Sequence, residues 1–308
     1  MDKKISLMFA GQGAQIPGMG SDLYQKYPEA KKIFDAADQL SPTNKMTDLC
    51  FFSPAEKLTD CANCQPAIFT MSIACYTALQ AIFPFQPYAA AGLSLGEYGA
   101  LTAANALSFK DTFHLVSTRG MLMDQCCHEN AGRMAAILGQ SEEEVRKLCT
   151  EFDIDIANLN CPGQIIISGK AENLARLEAS LTPESPHVVF LEVAGAYHSH
   201  LMQPAANKFQ TEIQHYTIQK PTCKLAQNRC GQFVSDPTQI KKNLVQQISN
   251  SVLWEKCLRQ LMAESDILIE FGPGKILTGM CRRMNRKFPV FSIHSAQSLE
   301  ETVKELKS

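Results

Sequence analysis

The sequence predicts an α/β protein with a large domain on a parallel sheet and a smaller inserted unit. Three observations lead there. Short apolar runs such as Ile5 to Ala10 and Tyr88 to Ala91 end in glycine turns and pass into helical patterns, the rhythm of strands buried on both faces. Residues from about 133 to 193 read strand, helix, strand, strand, helix, strand, the ferredoxin-like βαββαβ order. After them, alternating helices and strands resume. A chain of 308 residues has room for one large domain bearing a smaller one. The expected division is 1–130 with 201–308 for the large domain and 131–200 for the small one.

Taken in order, Ile5 to Ala10 is an apolar strand running into Gly11-Gln12-Gly13-Ala14-Gln15. Those glycines let the backbone amides approach a ligand, although an ordinary strand-to-helix turn would look the same. Neither a G-x-G-x-x-G fingerprint nor a Walker lysine follows, which argues against a nucleotide-phosphate cradle. Leu23 to about Leu49 has a helical pattern, and Pro66 suits the start of a buried helix running to Ile82. Phe109 to Cys126 repeats apolar residues at helical spacing and places Arg119 on the apolar face. A guanidinium there needs either an internal carboxylate or the carboxylate of a bound ligand.

The inserted unit reads as a strand over 134–139, a helix over 141–152 with Ser141 and Glu144 as a capping pair, and a strand over 154–159. Asn160-Cys161-Pro162-Gly163-Gln164 is a turn; a strand over 165–168, a helix over 171–181 and a strand over 188–193 follow. The chain returns through Ala194-Gly195-Ala196-Tyr197-His198-Ser199-His200, placing two histidines between the domains, a common location for a pocket. Helices are expected over 240–247 and 251–262, a strand over 266–271, a helix over 275–283 and a strand over 290–293. Arg282, Arg283, Arg286 and Lys287 form a basic cluster that reads as a solvated face or a dock for an acidic partner.

Hydrophobic residues at 45%, charged residues at 19% and a net charge of -2 describe a globular chain with no signature of nucleic acid or an anionic membrane as partner. The N-terminal apolar run is too short for a signal peptide and no run of about 18 apolar residues occurs, so a cytoplasmic protein is expected. Twelve cysteines spread through apolar segments read as reduced core residues. Cys61-Ala62-Asn63-Cys64 lacks a second pair at metal-site spacing, and no metal is expected.

Gly92-Leu93-Ser94-Leu95-Gly96 follows an apolar strand and opens a helix. In G-x-S-x-G the serine occupies a sharp strand-to-helix turn, glycines remove colliding side chains, and free amides at the helix start can stabilise an oxyanion. The competing reading is a helix cap, since Ser94 and Glu97 have capping-box spacing.

These blocks, with Gln65-Pro66-Ala67, Arg119-Gly120, His198-Ser199-His200-Leu201-Met202 and Glu270-Phe271-Gly272-Pro273-Gly274-Lys275, resemble the malonyl-CoA:acyl-carrier-protein transacylases across nearly the whole chain. The resemblance implies an α/β-hydrolase-like large domain, malonyl-CoA and a phosphopantetheinylated acyl carrier protein as partners, and no cofactor. It implies Ser94 as nucleophile, His198 as base and acid, and a main-chain carbonyl near Gln247 orienting the histidine. The Gln12 and Leu95 amides would form the oxyanion hole, and Arg119 would hold the malonyl carboxylate. Tyr197 and Asn160 would line the substrate, the bulk of Tyr197 excluding a branched extender. Two positions depart from the family pattern: Leu93 stands where histidine is usual and Ala10 where proline is usual. A monomer serving fatty-acid or polyketide synthesis is expected. The rivals are an ordinary α/β-hydrolase using His294, a hydrolase that strips acyl groups from carrier proteins, and a non-catalytic docking subunit.

Overall fold

The structure is a computed structural model that describes residues 3–41 and 44–308. Met1 and Asp2 of the N-terminal reading, and residues 42 and 43 within the helical reading of 23–49, lie outside the described residues. Strand β1 (Ile5–Phe9) is followed by helices α1 (Ser21–Lys26), α2 (Pro28–Leu40), α3 (Met46–Phe52) and α4 (Cys61–Ile82). The single helical stretch expected over 23–49 is thus three helices. Pro28 takes the first position of α2, where its missing N–H is harmless, and forces a break after Lys26. Pro66 does not open α4 as expected but lies inside it, because the helix begins at Cys61.

Strand β2 (Ala89–Gly92) leads into α5 (Gly96–Ala103) and then α6 (Phe109–Glu129). Next come β3 (Gly132–Leu138), α7 (Glu142–Phe152), β4 (Asp155–Cys161), β5 (Gln164–Lys170), α8 (Ala171–Ser180) and β6 (His187–Phe190). The expected capping box forms at α7, with Ser141 and Glu144 bonding each other's backbone amides. The expected strand over 188–193 is β6 only to Phe190, with one further bond to β3 from the Leu191 N–H to Met134 O at 2.9 Å. The remaining elements are α9 (Gln203–Glu212), β7 (Lys224–Gln227), β8 (Gln232–Phe233), α10 (Pro237–Gln247), α11 (Trp254–Glu264), β9 (Ile267–Phe271), α12 (Ile276–Met284), β10 (Val290–Ile293) and α13 (Ala296–Lys307).

Two sheets result. The larger has the order β10-β9-β1-β2-β7-β8, parallel except for the antiparallel edge strand β8. Its strands are apolar on both faces: Leu7 and Phe9 point into the cluster formed with α2, α4, α5, α6 and α9, while Met8 points into the cluster formed with α11 and α12. The smaller sheet is antiparallel, in the order β4-β5-β3-β6, and packs on α7 and α8. Backbone bonds tie the two sheets' surroundings together. Leu159 in β4 donates to Val252 O at 2.9 Å and Val252 donates to Ala157 O at 2.8 Å. That pairing explains why the helix expected from Ser251 starts only at Trp254.

Candidate active site

The turn from β2 to α5 is built by removing side chains. A Cβ on Gly92 would collide with the backbone of Gly96, and one on Gly96 with the Phe9 carbonyl. Strand, turn and helix therefore close to a distance only glycine allows, and Ser94 is held at φ 50°, in the left-handed region. Asn228, just after β7, holds this conformation: its Oδ1 accepts the Ser94 N–H at 2.6 Å and its Nδ2 donates to Gly92 O at 2.8 Å. The helix-cap reading fails here, because the Ser94 hydroxyl turns to His198 and Glu97 turns inward to Gln247.

Ser94 Oγ lies 2.8 Å from His198 Nε2, and His198 Nδ1 lies 2.8 Å from the Gln247 carbonyl oxygen. A carbonyl only accepts, so Nδ1 carries the ring proton and leaves Nε2 as an acceptor facing the serine. His198 also has a left-handed backbone, φ 58°, and a buried ring. Burial, and then the charge of Arg119, push its pKa down to about 4, so the imidazole is neutral at pH 7 and its Nε2 is free to accept a proton. The three residues reach one another from the turn after β2, the segment returning from the small sheet, and the last residue of α10.

Arg119 is 1% exposed, and its guanidinium reaches the same point from α6. It donates to Gln65 Oε1 at 2.7 Å, to Gln247 Oε1 at 2.9 Å and to Ser94 Oγ at 3.0 Å. These acceptors are all uncharged. Gly120 permits the approach, since a Cβ there would press on the Cys61 carbonyl of α4.

Gly11 brings the loop after β1 against the serine turn, a Cβ there landing on the Leu93 carbonyl. Gln12 thereby flanks Ser94. Among the described residues, the backbone N–H groups of Gln12 and Leu95 have no partner in the protein. Gln12, Ser94, Asn160, Tyr197 and His198 line one cavity of about 380 Å³ between the two sheets, and Leu93 adds to its wall. Tyr197 is fixed by its hydroxyl, which accepts from Cys61 Sγ at 3.0 Å; the same thiol lies 3.3 Å from Gln12 Oε1. Asn160 Oδ1 is buried with no partner in the protein.

The acyl transferase domain model matches residues 7–303. A curated protein of Bacillus subtilis (strain 168), the "Malonyl CoA-acyl carrier protein transacylase", is 38% identical over 99% of this chain and 98% of its own. The chain belongs to this family of transacylases. A protein of the same name from Staphylococcus aureus (strain MRSA252) is 34% identical over 96% of this chain and 97% of its own. The crystal structure of the Clostridium perfringens transacylase superposes with a TM-score of 0.93 at 32% identity, covering 99% of this chain and 97% of that one. A malonyl-transacylase solved in complex with a type II PKS acyl carrier protein has a TM-score of 0.93 at 28% identity, with 98% and 99% covered.

Within this family fold, every expected site residue converges on the serine turn or on the cavity beside it. His294, the histidine of the rival hydrolase reading, lies instead beside Ser292 Oγ at 3.2 Å, while His198 occupies the position facing Ser94. The basic cluster at 282–287 falls at the end of α12 and the turn beyond it. Sequence reasoning missed Asn228, because β7 was not recognised as a strand and its end carried no motif. It also missed the role of Gln65 as an acceptor for Arg119. Gln65 falls one residue before the helix expected to begin at Pro66, which hid that it lies on α4 with its side chain facing inward.

Proposed function

We propose that this chain moves a malonyl group from malonyl-CoA to the phosphopantetheine thiol of an acyl carrier protein through a malonyl ester on Ser94. The observation that carries the reading is the guanidinium of Arg119: buried, bonded only to uncharged groups, and 3.0 Å from the nucleophile. A carboxylated acyl group supplies the anion such a cation requires, and a plain acyl group does not.

Neutral His198 accepts the Ser94 proton as Oγ attacks the thioester carbonyl. The Gln247 carbonyl stabilises the imidazolium through Nδ1–H, and the amides of Gln12 and Leu95 receive the negative oxygen. His198 then protonates the departing CoA sulfur. The carrier thiol repeats the sequence in reverse, giving ping-pong kinetics. Tyr197, held by Cys61, fills the space where the α-branch of methylmalonyl would lie, and Asn160 Oδ1 offers an acceptor to the substrate in the cavity. The chemistry calls on no metal or organic cofactor.

We read residues 131–200 as a ferredoxin-like small domain, supported by the strand order β4-β5-β3-β6, and 1–130 with 201–308 as an α/β-hydrolase-like domain. We also propose a cytoplasmic monomer; among the described residues no helix is long and apolar enough to cross a membrane, and the net charge of -2 offers no attraction to nucleic acid. The test is transfer of malonyl from malonyl-CoA to a holo carrier protein by the native chain. Hydrolysis of malonyl-CoA without carrier loading would replace this reading with the hydrolase one.

A further inference from the structure

Glu97 lies three residues beyond the nucleophile, completely buried, and the mechanism above does not use it. Its Oε2 accepts from Gln247 Nε2 at 2.5 Å and from the Asn228 backbone N–H at 3.4 Å, while its Oε1 has no partner. The Gln247 amide also donates to Ser94 O at 3.0 Å, and its Oε1 accepts from Arg119 at 2.9 Å. A carboxylate only accepts, so Glu97 dictates which end of the Gln247 amide it meets, and therefore which end Arg119 meets. Reversing the amide would set its NH₂ against the guanidinium and its oxygen against the carboxylate. In the empty site one amide dipole thus separates a buried anion from a buried cation.

A malonyl carboxylate on Arg119 changes that arrangement. Two carboxylates then share one guanidinium where little water can screen them, and one of them is better neutral. The incoming carboxylate has the direct contact; Glu97 has the relayed one. We propose that Glu97 is the resident counter-charge of Arg119, acting through the Gln247 side chain, and that it binds a proton from solvent when a malonyl carboxylate occupies the guanidinium. The step converts one carboxylate and one buffer proton into a carboxylic acid, with no change in the substrate's bonds. It makes Glu97 a positioning residue, and it rests on the malonyl reading of the site.

The surroundings support this assignment. Burial raises Glu97 to about 7, against the opposing pulls of Gln247, Asn228, Gln227 and Arg119. The other titratable groups facing it are Tyr98 on its own helix, Cys230 beyond β7 and Cys257 on α11, and burial pushes each of them up, so they stay neutral. His198, which meets the Ser94 hydroxyl and the Gln247 carbonyl, is held down to about 4. Glu97 is left as the group in this network that titrates near neutrality.

The test is calorimetric binding of malonyl-CoA and of acetyl-CoA to Ser94→Ala protein, which cannot be acylated, in two buffers of different ionisation enthalpy. Acetyl-CoA carries the same phosphates without the carboxylate and removes their contribution. At pH 7 and saturating ligand, malonyl-CoA should take up about half a proton more than acetyl-CoA, falling to about zero at pH 5 where Glu97 is already protonated. The excess should vanish in Ser94→Ala/Glu97→Gln. Equal uptake for the two thioesters, or an excess that survives Glu97→Gln, overturns the proposal. If the double variant does not fold, the excess at pH 7 and its loss at pH 5 in Ser94→Ala alone decide, and their absence overturns it. Failure of the underlying reading looks different: the native protein then forms no malonyl adduct on Ser94.

Discussion

Replacing Arg119 by alanine separates charge recognition from the rest of the machinery. In the native site the guanidinium is 1% exposed, so a malonyl carboxylate paired with it would be largely desolvated. Removing one partner of such a pair costs about 2–5 kcal/mol. At about 1.4 kcal/mol per decade, kcat/KM for malonyl-CoA should fall roughly 30- to 5,000-fold. Acetyl-CoA should behave oppositely. Against a methyl group the native guanidinium keeps its bonds to Gln65, Gln247 and Ser94 but meets no substrate anion, and relieving that is worth about 1–3 kcal/mol, so acetyl transfer should hold steady or rise up to about 150-fold. The assay is Ser94 acylation by each thioester in single turnover, with far-UV circular dichroism to confirm folding. Malonyl and acetyl transfer falling by the same factor would refute the argument, because it would mean Arg119 only maintains Ser94, which it touches at 3.0 Å.

The other expectations follow from neighbouring contacts. Since neutral His198 is the base and its pKa is about 4, the acylation rate should rise with pH through about 4 and lose its dependence on this group above about 5; Arg119→Ala should move that limb upward, because the guanidinium is the second cause of the depression. A stopped-flow pH profile of both proteins checks it. Asn228→Ala removes two bonds that hold the serine turn, so the melting temperature should drop and the malonylation rate fall roughly 5- to 150-fold, at about 1–3 kcal/mol for the groups left unpaired. Gly92→Ala puts a methyl into the Gly96 backbone and should prevent native folding, read as loss of the cooperative melt. Tyr197→Ser clears the wall beside the cavity and should raise methylmalonyl relative to malonyl transfer; an unchanged ratio in a competition assay would show that Tyr197 does not set it.

Much of this was legible from the chain because each signal was local. The strand-turn-helix around Ser94 announces itself through two glycines that only a close approach explains, and the α7 cap through a Ser and Glu at fixed spacing. Arg119 stood out as a charge at an apolar position of a helical repeat. What stayed hidden depended on contacts distant in sequence. Strand β7 is four residues long and is a strand because it pairs with β2, which no periodicity over so short a run reveals. Asn228 inherits its importance from that placement. Ser251 to Leu253 read as the start of a helix because local pattern cannot register the backbone pairing of Val252 with β4. The extent of α4 was missed for the opposite reason: Pro66 carries a strong local signal, and a helix held by packing on every side accommodates it.

The central claim is a malonyl ester on Ser94 that passes to a carrier thiol. Intact-protein mass after mixing with malonyl-CoA, before and after adding phosphopantetheinylated carrier protein, tests it most directly. The account predicts a malonyl adduct on the native chain that is absent in Ser94→Ala and moves to the carrier when the carrier is added. No adduct, or one that decays to free malonate equally fast with and without carrier, would contradict it.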